Sequence, residues 1–395
     1  MSEPIRVLQI STGGSPVSPV HGRSTEYGLL YFAREAVKFG VQFHILDVKT
    51  DGERSEHGIE FVEVPNFRIP DRGFCHFIRV LIFSALIMPP LVKILASDKV
   101  DVIHTHGQFP ATVACWARSL TGRQETVPIC HTTHNPHIIM PRSVFDTFLH
   151  FAEIRIIKKV DLVIVETTMG SRTLHQRFRV DNQKIVQIYS GIDVKGINAV
   201  LSQRTGLEKP MLDILSVGVV TPRKGQLILV KAAIPLMRKF SSLRVVFVGK
   251  IDDYRYYATA RGIIQEAGCE DAFVFKGEVG SRELYGLFAQ SDIFVFSSLS
   301  ETQGLSILEA LCFGLPTIST DLPTIREMLG KMEIVVFTPP GDIREMTSRL
   351  EELISSTERR EYLAGRGKAV ASEFSWEKTA QKTVLQYSFL LGRNQ

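Results

Sequence analysis

Short, near-continuous apolar runs rich in valine and isoleucine recur along this chain, each followed by a longer segment of helical period. The first series includes IRVLQIS (5–11), FHILDV (43–48), VDVIHTH (100–106), VPICHTTH (127–134) and VDLVIVE (160–166). The second is DILSVG (213–218), LRVVFVG (243–249), FVFKG (273–277), DIFVFSS (292–298), PTIST (316–320) and EIVVF (333–337). A strand apolar on both faces must be covered on both, which is the situation of a parallel sheet flanked by helices. Each half therefore reads as a βαβαβ array. The expected fold class is α/β, with two Rossmann-like, doubly wound parallel-sheet domains. Such sheets take ligands outside the carboxyl ends of their strands, so the two domains are expected to face a ligand cleft.

A length of 395 residues exceeds one ordinary core and fits two domains. YSGID and SQRTGLEKP interrupt the pattern between Ser190 and Pro210, which sets the expected domains at 1–190 and 191–372. Hydrophobic residues at 44% and charged residues at 22% describe a globular chain. A formal charge of +4 is too small for its length to imply nucleic acid, and is compatible with anionic ligands or a weak pull towards acidic lipid. The scattered cysteines (Cys75, Cys115, Cys130, Cys269, Cys312) form neither a zinc pattern nor a disulfide framework and read as reduced core thiols. The N-terminal MSEPIRVLQIST lacks a signal-peptide pattern and runs into a strand. The expected location is cytoplasmic, with peripheral membrane contact at most.

The segment to weigh against that is Phe74 to Leu95, FCHFIRVLIFSALIMPPLVKIL. Its uncharged run, Val80 to Val92, contains Pro89-Pro90 and falls short of the ~20 residues a span needs. It reads as a helix packed on a sheet, with a face that touches lipid as the alternative.

Several loops could carry chemistry. In SVGVVTPRKGQLILVKAA, Arg223 and Lys224 occupy a turn before a helix that Gly225 opens. Cations at a helix N-terminus suit a diphosphate, although a solvated basic turn has the same look. In SLSETQGLSILEALCFG, Ser306 and Glu309 match a capping box in a helix expected to begin near Ser306. A carboxylate there can also accept two ribose hydroxyls. Glu301 lies in the preceding loop, where no cap explains it. Histidines cluster as DVIHTHGQFP (His104, His106) and ICHTTHNPHIIM (His131, His134, His137). Without accompanying carboxylates or thiolates a metal site is disfavoured. A histidine acting as hydrogen-bond donor or proton relay fits better, with His104 and His131 as satisfied sheet residues for the bland alternative. The loop after the first strand holds Gly13, Gly14 and Gly22 but no G-x-G-x-x-G, and no P-loop occurs anywhere. It suits a lid or acceptor loop.

Together these motifs resemble one family, the retaining glycosyltransferases of family 4, which have the two-domain GT-B fold. The resemblance runs from the glycine loop and YFAREAVKFGVQFHIL through DVIHTHG, TTHN and YSGID to PRKG, FVFKGEV and SDIFVFSSLSETQGLSILEALCFGLPTIST, and ends with PPGD and FSWEKTA. Its most specific part is the E-x7-E pattern of Glu301 and Glu309. The family implies that Glu309 binds the donor ribose and Glu301 the transferred sugar. Gly304 and Leu305 would present backbone N–H groups to sugar and phosphate, and Lys224, with Arg223 beside it, would steady the diphosphate. Gly249 and Val279 match positions that hold the base, and His134 matches the first-domain histidine beside donor sugar and acceptor. Gly14, Gly22 and His106 fall on the acceptor side. Residues 373–395 are implied to form a helix that crosses back to the first domain. The implied reaction moves a sugar from a nucleotide-diphosphate sugar to a saccharide or lipid-linked acceptor with retention, needing neither metal nor cofactor.

The chain departs from the family pattern at three points. Gly218-Val219 replaces the usual Gly-Arg, Ser190-Gly191 replaces Asn-Gly, and DLPTIRE follows PTIST in place of a glycine pair. Val219 is the best support for a second class of reading, a catalytically silent GT-B protein that binds or regulates a partner. A phosphorylase or nucleotide-sugar epimerase on the same fold is a third. The Glu301, Glu309 and Lys224 set favours the transferase.

Overall fold

The computed structural model describes residues 3–13, 16–17, 24–50, 54, 56–66, 73–134, 153–203 and 211–393. The chain divides into two compact units, Met1–Gly191 with Trp376–Gln395, and Ile192–Ser375.

Seven parallel strands form the sheet of the first unit: β1 (Ile5–Ile10), β2 (Val41–Val48), β3 (Ile59–Val64), β4 (Val102–His106), β5 (Ile129–Thr133), β6 (Leu162–Val165) and β7 (Ile185–Gln187), in the order β3-β2-β1-β4-β5-β6-β7. The apolar runs supply the five central strands. The flanking β3 and β7 escape that reading because each lies at a sheet edge. IEFVEV is only partly buried, and IVQ is too short to show a pattern.

Side chains of alternate parity build a core on each face of this sheet, as the pleat requires. On one face Val7, Phe43 and Ile45 meet Leu29, Phe32, Ala33 and Ala36 of α1 (Ser24–Val37), together with Ala380, Val384 and Tyr387 of the terminal helix Trp376–Leu390. The closing segment thus belongs to the first unit, and Trp376 sits so close to Gly28 that a Cβ there would lie 2.8 Å from the indole. On the other face Leu8, Ile10 and Ile103 meet α2 (Gly73–Ala96) and α3 (Gln108–Leu120).

Helix α2 runs unbroken through Pro89 and Pro90, so it is longer than its uncharged run indicated. Ile78–Ala96, with mean hydropathy 2.0, is long and apolar enough to cross a membrane by length and composition. Its fourfold spacing explains that hydropathy differently. Phe83, Ile87, Leu91 and Leu95 line one stripe and are all buried against the sheet. Each such burial contributes about 1.5–3 kcal/mol, which outweighs the helix bonds lost to the proline pair.

The second unit has six parallel strands: β8 (Leu212–Val217), β9 (Leu243–Val248), β10 (Phe273–Phe275), β11 (Ile293–Phe296), β12 (Thr317–Thr320) and β13 (Val335–Thr338), ordered β10-β9-β8-β11-β12-β13. Ile214, Val245 and Phe247 pack against Leu229 and Leu236 of the helix Gln226–Lys239 and Leu350 and Leu353 of the helix Ile343–Ser355. In both sheets the order reverses once, between β1 and β4 and between β8 and β11. Loops leaving those strands diverge there, which opens a crevice at each switch point.

Candidate functional site

In the second unit the switch point joins two loops that are distant in sequence. After β8 the chain makes a short 3-10 turn, Pro222–Lys224, and Gly225 then starts the next helix with φ +67°. A Cβ at Gly225 would stand 2.0 Å from the carbonyl oxygen of Ser297, so only glycine permits this approach of the two loops. The approach is pinned by Ser297 Oγ donating to the Lys224 carbonyl (3.0 Å) and Leu299 N–H donating to the Arg223 carbonyl (2.8 Å). As a result Arg223 and Lys224 both reach Glu301. Arg223 Nη1 and Lys224 Nζ lie 2.7 and 2.6 Å from the same Oε1. Arg223 also donates to the Ser300 carbonyl at 2.9 Å, and Thr324 Oγ1 to the Glu301 carbonyl at 3.0 Å. The pair of cations exceeds the single carboxylate by one charge in a largely enclosed setting, with Glu301 10% and Lys224 16% exposed.

The expected capping box does not form. The helix is Leu305–Cys312, its N-cap is Gly304 in the left-handed region, and no side chain caps it. Ser306 is already helical and Glu309 lies beyond the first turn. Two consequences follow. Among the described residues, the N–H groups of Gly304 and Leu305 have no acceptor, as expected for the open N-terminus of a helix. The carboxylate of Glu309, half-buried, makes no hydrogen bond or ion pair among the described residues. Burial, and secondarily Asp193, push its carboxyl up to about 7. The sheet order carries the row further. Gly249 follows β9 and donates to the Gly277 carbonyl (2.8 Å), and half-buried Val279 follows β10. Val219 is exposed, and Gln226 Nε2 donates to its carbonyl at 3.0 Å.

In the first unit the glycine loop is held from beneath. Buried Asp47 at the end of β2 accepts from Ser11 Oγ (2.8 Å), Val17 N–H (2.7 Å) and Arg54 Nη1 (2.6 Å). Gly13, at φ +73°, passes so close to α2 that a Cβ would be 2.2 Å from the Phe83 ring. Gly14, Gly22 and His137 lie outside the described residues.

The histidines form a chain that the sequence left open. His104 is fully satisfied, with Nδ1 2.6 Å from Tyr387 Oη and Nε2 2.7 Å from Thr132 Oγ1. His131 Nδ1 is 3.0 Å from Thr105 Oγ1. Burial, and then neighbouring histidines, lower both to about 3, and the same causes hold His106 well below the ordinary range. His106 Nδ1 lies 3.0 Å from His134 Nε2, with the ring planes within 15° of parallel. His134 Nδ1 lies 3.1 Å from Glu166 Oε1, which also accepts from Ser190 Oγ at 2.6 Å. Glu166, Gln9 and Tyr387 were not singled out in the sequence. The detectable signal for Glu166 is register: Thr133 pairs with Val165, so the next residues, His134 and Glu166, leave adjacent strands side by side. Among the described residues no three His, Cys, Asp or Glu side chains are placed to hold a metal ion.

Comparison with known proteins gives the family and the fold. Residues 25–195 match the profile of glycosyltransferase family 4, and residues 199–370 that of the glycosyl transferases group 1. The chain is 24% identical over 357 residues to an uncharacterized glycosyltransferase of Methanocaldococcus jannaschii, covering 88% of this chain and 90% of that one. It is 22% identical over 309 residues to a phosphatidyl-myo-inositol mannosyltransferase of Mycobacterium leprae, covering 77% and 78%. Among solved structures, Anabaena HepE in complex with UDP and glucose superposes with a TM-score of 0.75 at 18% identity, covering 97% and 99%.

Proposed function

Since the chain belongs to the family 4 glycosyltransferases, we propose that it moves a sugar from a nucleotide-diphosphate sugar to a saccharide or lipid-linked acceptor with retention of configuration. The observation that carries this reading is the gathering of Arg223 and Lys224 on Glu301 beside the open helix N-terminus at Gly304 and Leu305. An ammonium has three donors, so Lys224 can keep Glu301 and still reach a phosphate oxygen. Arg223 adds a forked donor, and the free N–H groups complete an anion-binding set. The unpartnered carboxylate of Glu309 suits two ribose hydroxyls, with the base held by backbone near Gly249 and Val279. The acceptor oxygen bonds to the anomeric carbon on the face that the diphosphate leaves, and its proton passes to the departing phosphate oxygen. Fixed positive groups stabilise charge on that oxygen. Transfer is therefore expected to persist in chelator.

A thermal-shift panel of UDP, ADP and GDP tests the donor site, with UDP first because HepE is seen with UDP. A ligand at a hundred times its Kd stabilises by about 2.7 kcal/mol. No response to any nucleoside diphosphate would overturn the reading. Binding without turnover of any nucleotide sugar would favour the silent partner.

The proposal includes a cytoplasmic location with peripheral contact to acidic lipid through residues 74–95. On the outer side of α2, Leu81 and Leu86 are exposed, and on the adjoining α3 Trp116 and Leu120 are 59% and 74% exposed. Neither helix contains Asp or Glu, and Lys93, Arg155, Lys158 and Lys159 are exposed on the helices and turn packed on the same sheet face. Apolar anchors with a cationic rim suit an anionic bilayer surface. Co-sedimentation with anionic vesicles, lost on neutral ones and in a Leu81→Glu, Leu86→Glu variant, is the expected result. Equal behaviour in all three would sink the idea.

A further inference from the structure

The histidine chain of the first unit ends on a carboxylate, Glu166. Glu166 is the residue after β6, 11% exposed, and it bonds His134 on one side and Ser190 on the other. His134 is bonded at both ring nitrogens, to Glu166 through Nδ1 and to His106 through Nε2. We infer that Glu166 is the positioning residue for His134: it fixes the ring plane and keeps both ring nitrogens protonated, so that His134 serves the transfer as a fixed cation and not as a proton relay. The inference rests on the reading of His134 as part of the transferase site.

The proton inventory of the neighbours admits it. A ring that donates from both nitrogens carries two N–H groups and is an imidazolium. Its Nε2–H then requires His106 Nδ1 to accept, and neutral His106 must carry its proton on Nε2. That nitrogen lies 3.4 Å from Gln9 Nε2, two donors face to face, while buried Gln9 Oε1 has no partner among the described residues. Turning the Gln9 amide over places Oε1 where it can accept from the His106 Nε2–H. One assignment of protons thus serves Glu166, His134 and His106.

The charged and titratable groups facing His134 come from every side. Glu166, Glu26 on α1 and Glu153 favour its cationic form, while burial, the largest influence, opposes it. His106, His104 and His131 face it from β4 and β5 and stay neutral. Thr12 occupies Glu26, and Thr133 occupies Glu153 at 2.8 Å. Glu166 is the only one of the three carboxylates with a described hydrogen bond to the ring.

The test is a histidine NMR titration of the full chain, with the His134 resonance assigned by its loss in His134→Gln. In the wild type the His134 ring should titrate above 6.5 and show two protonated nitrogens below that point. In Glu166→Gln its midpoint should fall by a unit or more, Glu166→Asp should restore part of the shift, and the alkaline limb of the rate–pH profile with a nucleotide sugar should move in the same direction. An unmoved His134 midpoint in Glu166→Gln overturns the inference, as does a wild-type ring protonated on one nitrogen only at pH 6. A wild type inactive on every nucleotide sugar would instead count against the transferase reading, and the titration still decides the role of Glu166.

Discussion

The strand ends of the two sheets hold charge in opposite ways. In the second unit two cations crowd one largely enclosed carboxylate between two loops, and the excess positive charge is left for a ligand. In the first unit one imidazole meets one carboxylate, each of which the other keeps ionised, behind a row of neutral rings reaching to Tyr387. A site built of loops can reorganise around a polyanion, whereas a site built of strand ends and a packed helix is fixed before anything binds.

The sharpest way to break that comparison is to remove the loop charges. Lys224→Ala and Glu301→Ala should each lower nucleoside-diphosphate release from a nucleotide sugar by about a hundredfold or more, with the fold retained because both side chains belong to loops outside the sheet core. Near-normal turnover in both variants would remove the site assignment.

A smaller effect is expected from the far end of the histidine row. Tyr387→Phe deletes the hydroxyl 2.6 Å from His104 Nδ1 and leaves that buried nitrogen without its partner, at a cost of about 1–3 kcal/mol. Urea unfolding should show an earlier midpoint while nucleotide affinity is unchanged. An unaltered midpoint would mean that the row is not a structural prop. The same row sharpens the comparison through pH. The His134–Glu166 pair contributes fully between the ordinary carboxylate and imidazole ranges. Its contribution fades above 6.5 as His134, whose midpoint is raised, loses its proton, and fades below 4.5 as Glu166, whose midpoint is lowered, gains one. A stability–pH curve for Glu166→Gln should therefore converge on the wild type at both ends.

How much of this was legible in the sequence differs between the units for the same reason. Arg223, Lys224, Gly225, Glu301 and Gly304 sit in two short loops whose residue types announce them, and one crossing of strands brings those loops together. The buried runs likewise marked the central strands, because a strand covered on both faces has little choice of residue. Glu166 and Tyr387 gave no such sign. Each became a neighbour of a histidine only through strand register or through a helix 283 residues further along, and a one-residue slip would have turned either away. Glu309 was misread in a different way. The sequence S-x-x-E fits a capping box, but a glycine in the left-handed region at 304 starts the helix two residues early and frees the carboxylate from that duty.

Freed in this way, Glu309 supports the finest test of the contrast. Its carboxyl is pushed up to about 7, so in the unliganded protein it is partly protonated at neutral pH. Ribose hydroxyls donate better to the ionised form, and binding must then expel the proton. Affinity for a nucleoside diphosphate should rise with pH through about 7, by no more than about tenfold per unit for one proton. The ligand's own phosphate ionises in this region as well, so the informative quantity is the difference between wild type and Glu309→Gln, which should flatten the curve by the carboxyl's share. The sign is opposite for folding. A carboxyl with a raised midpoint favours the folded state most when protonated, and that contribution is lost as pH rises from 4.5 through about 7. Titration calorimetry of both proteins in two buffers of different ionisation heat would give each proton count, and their difference is the carboxyl's share. A difference of zero near pH 7 would return Glu309 to a passive place in the helix and leave the donor site to Glu301, Lys224 and Arg223.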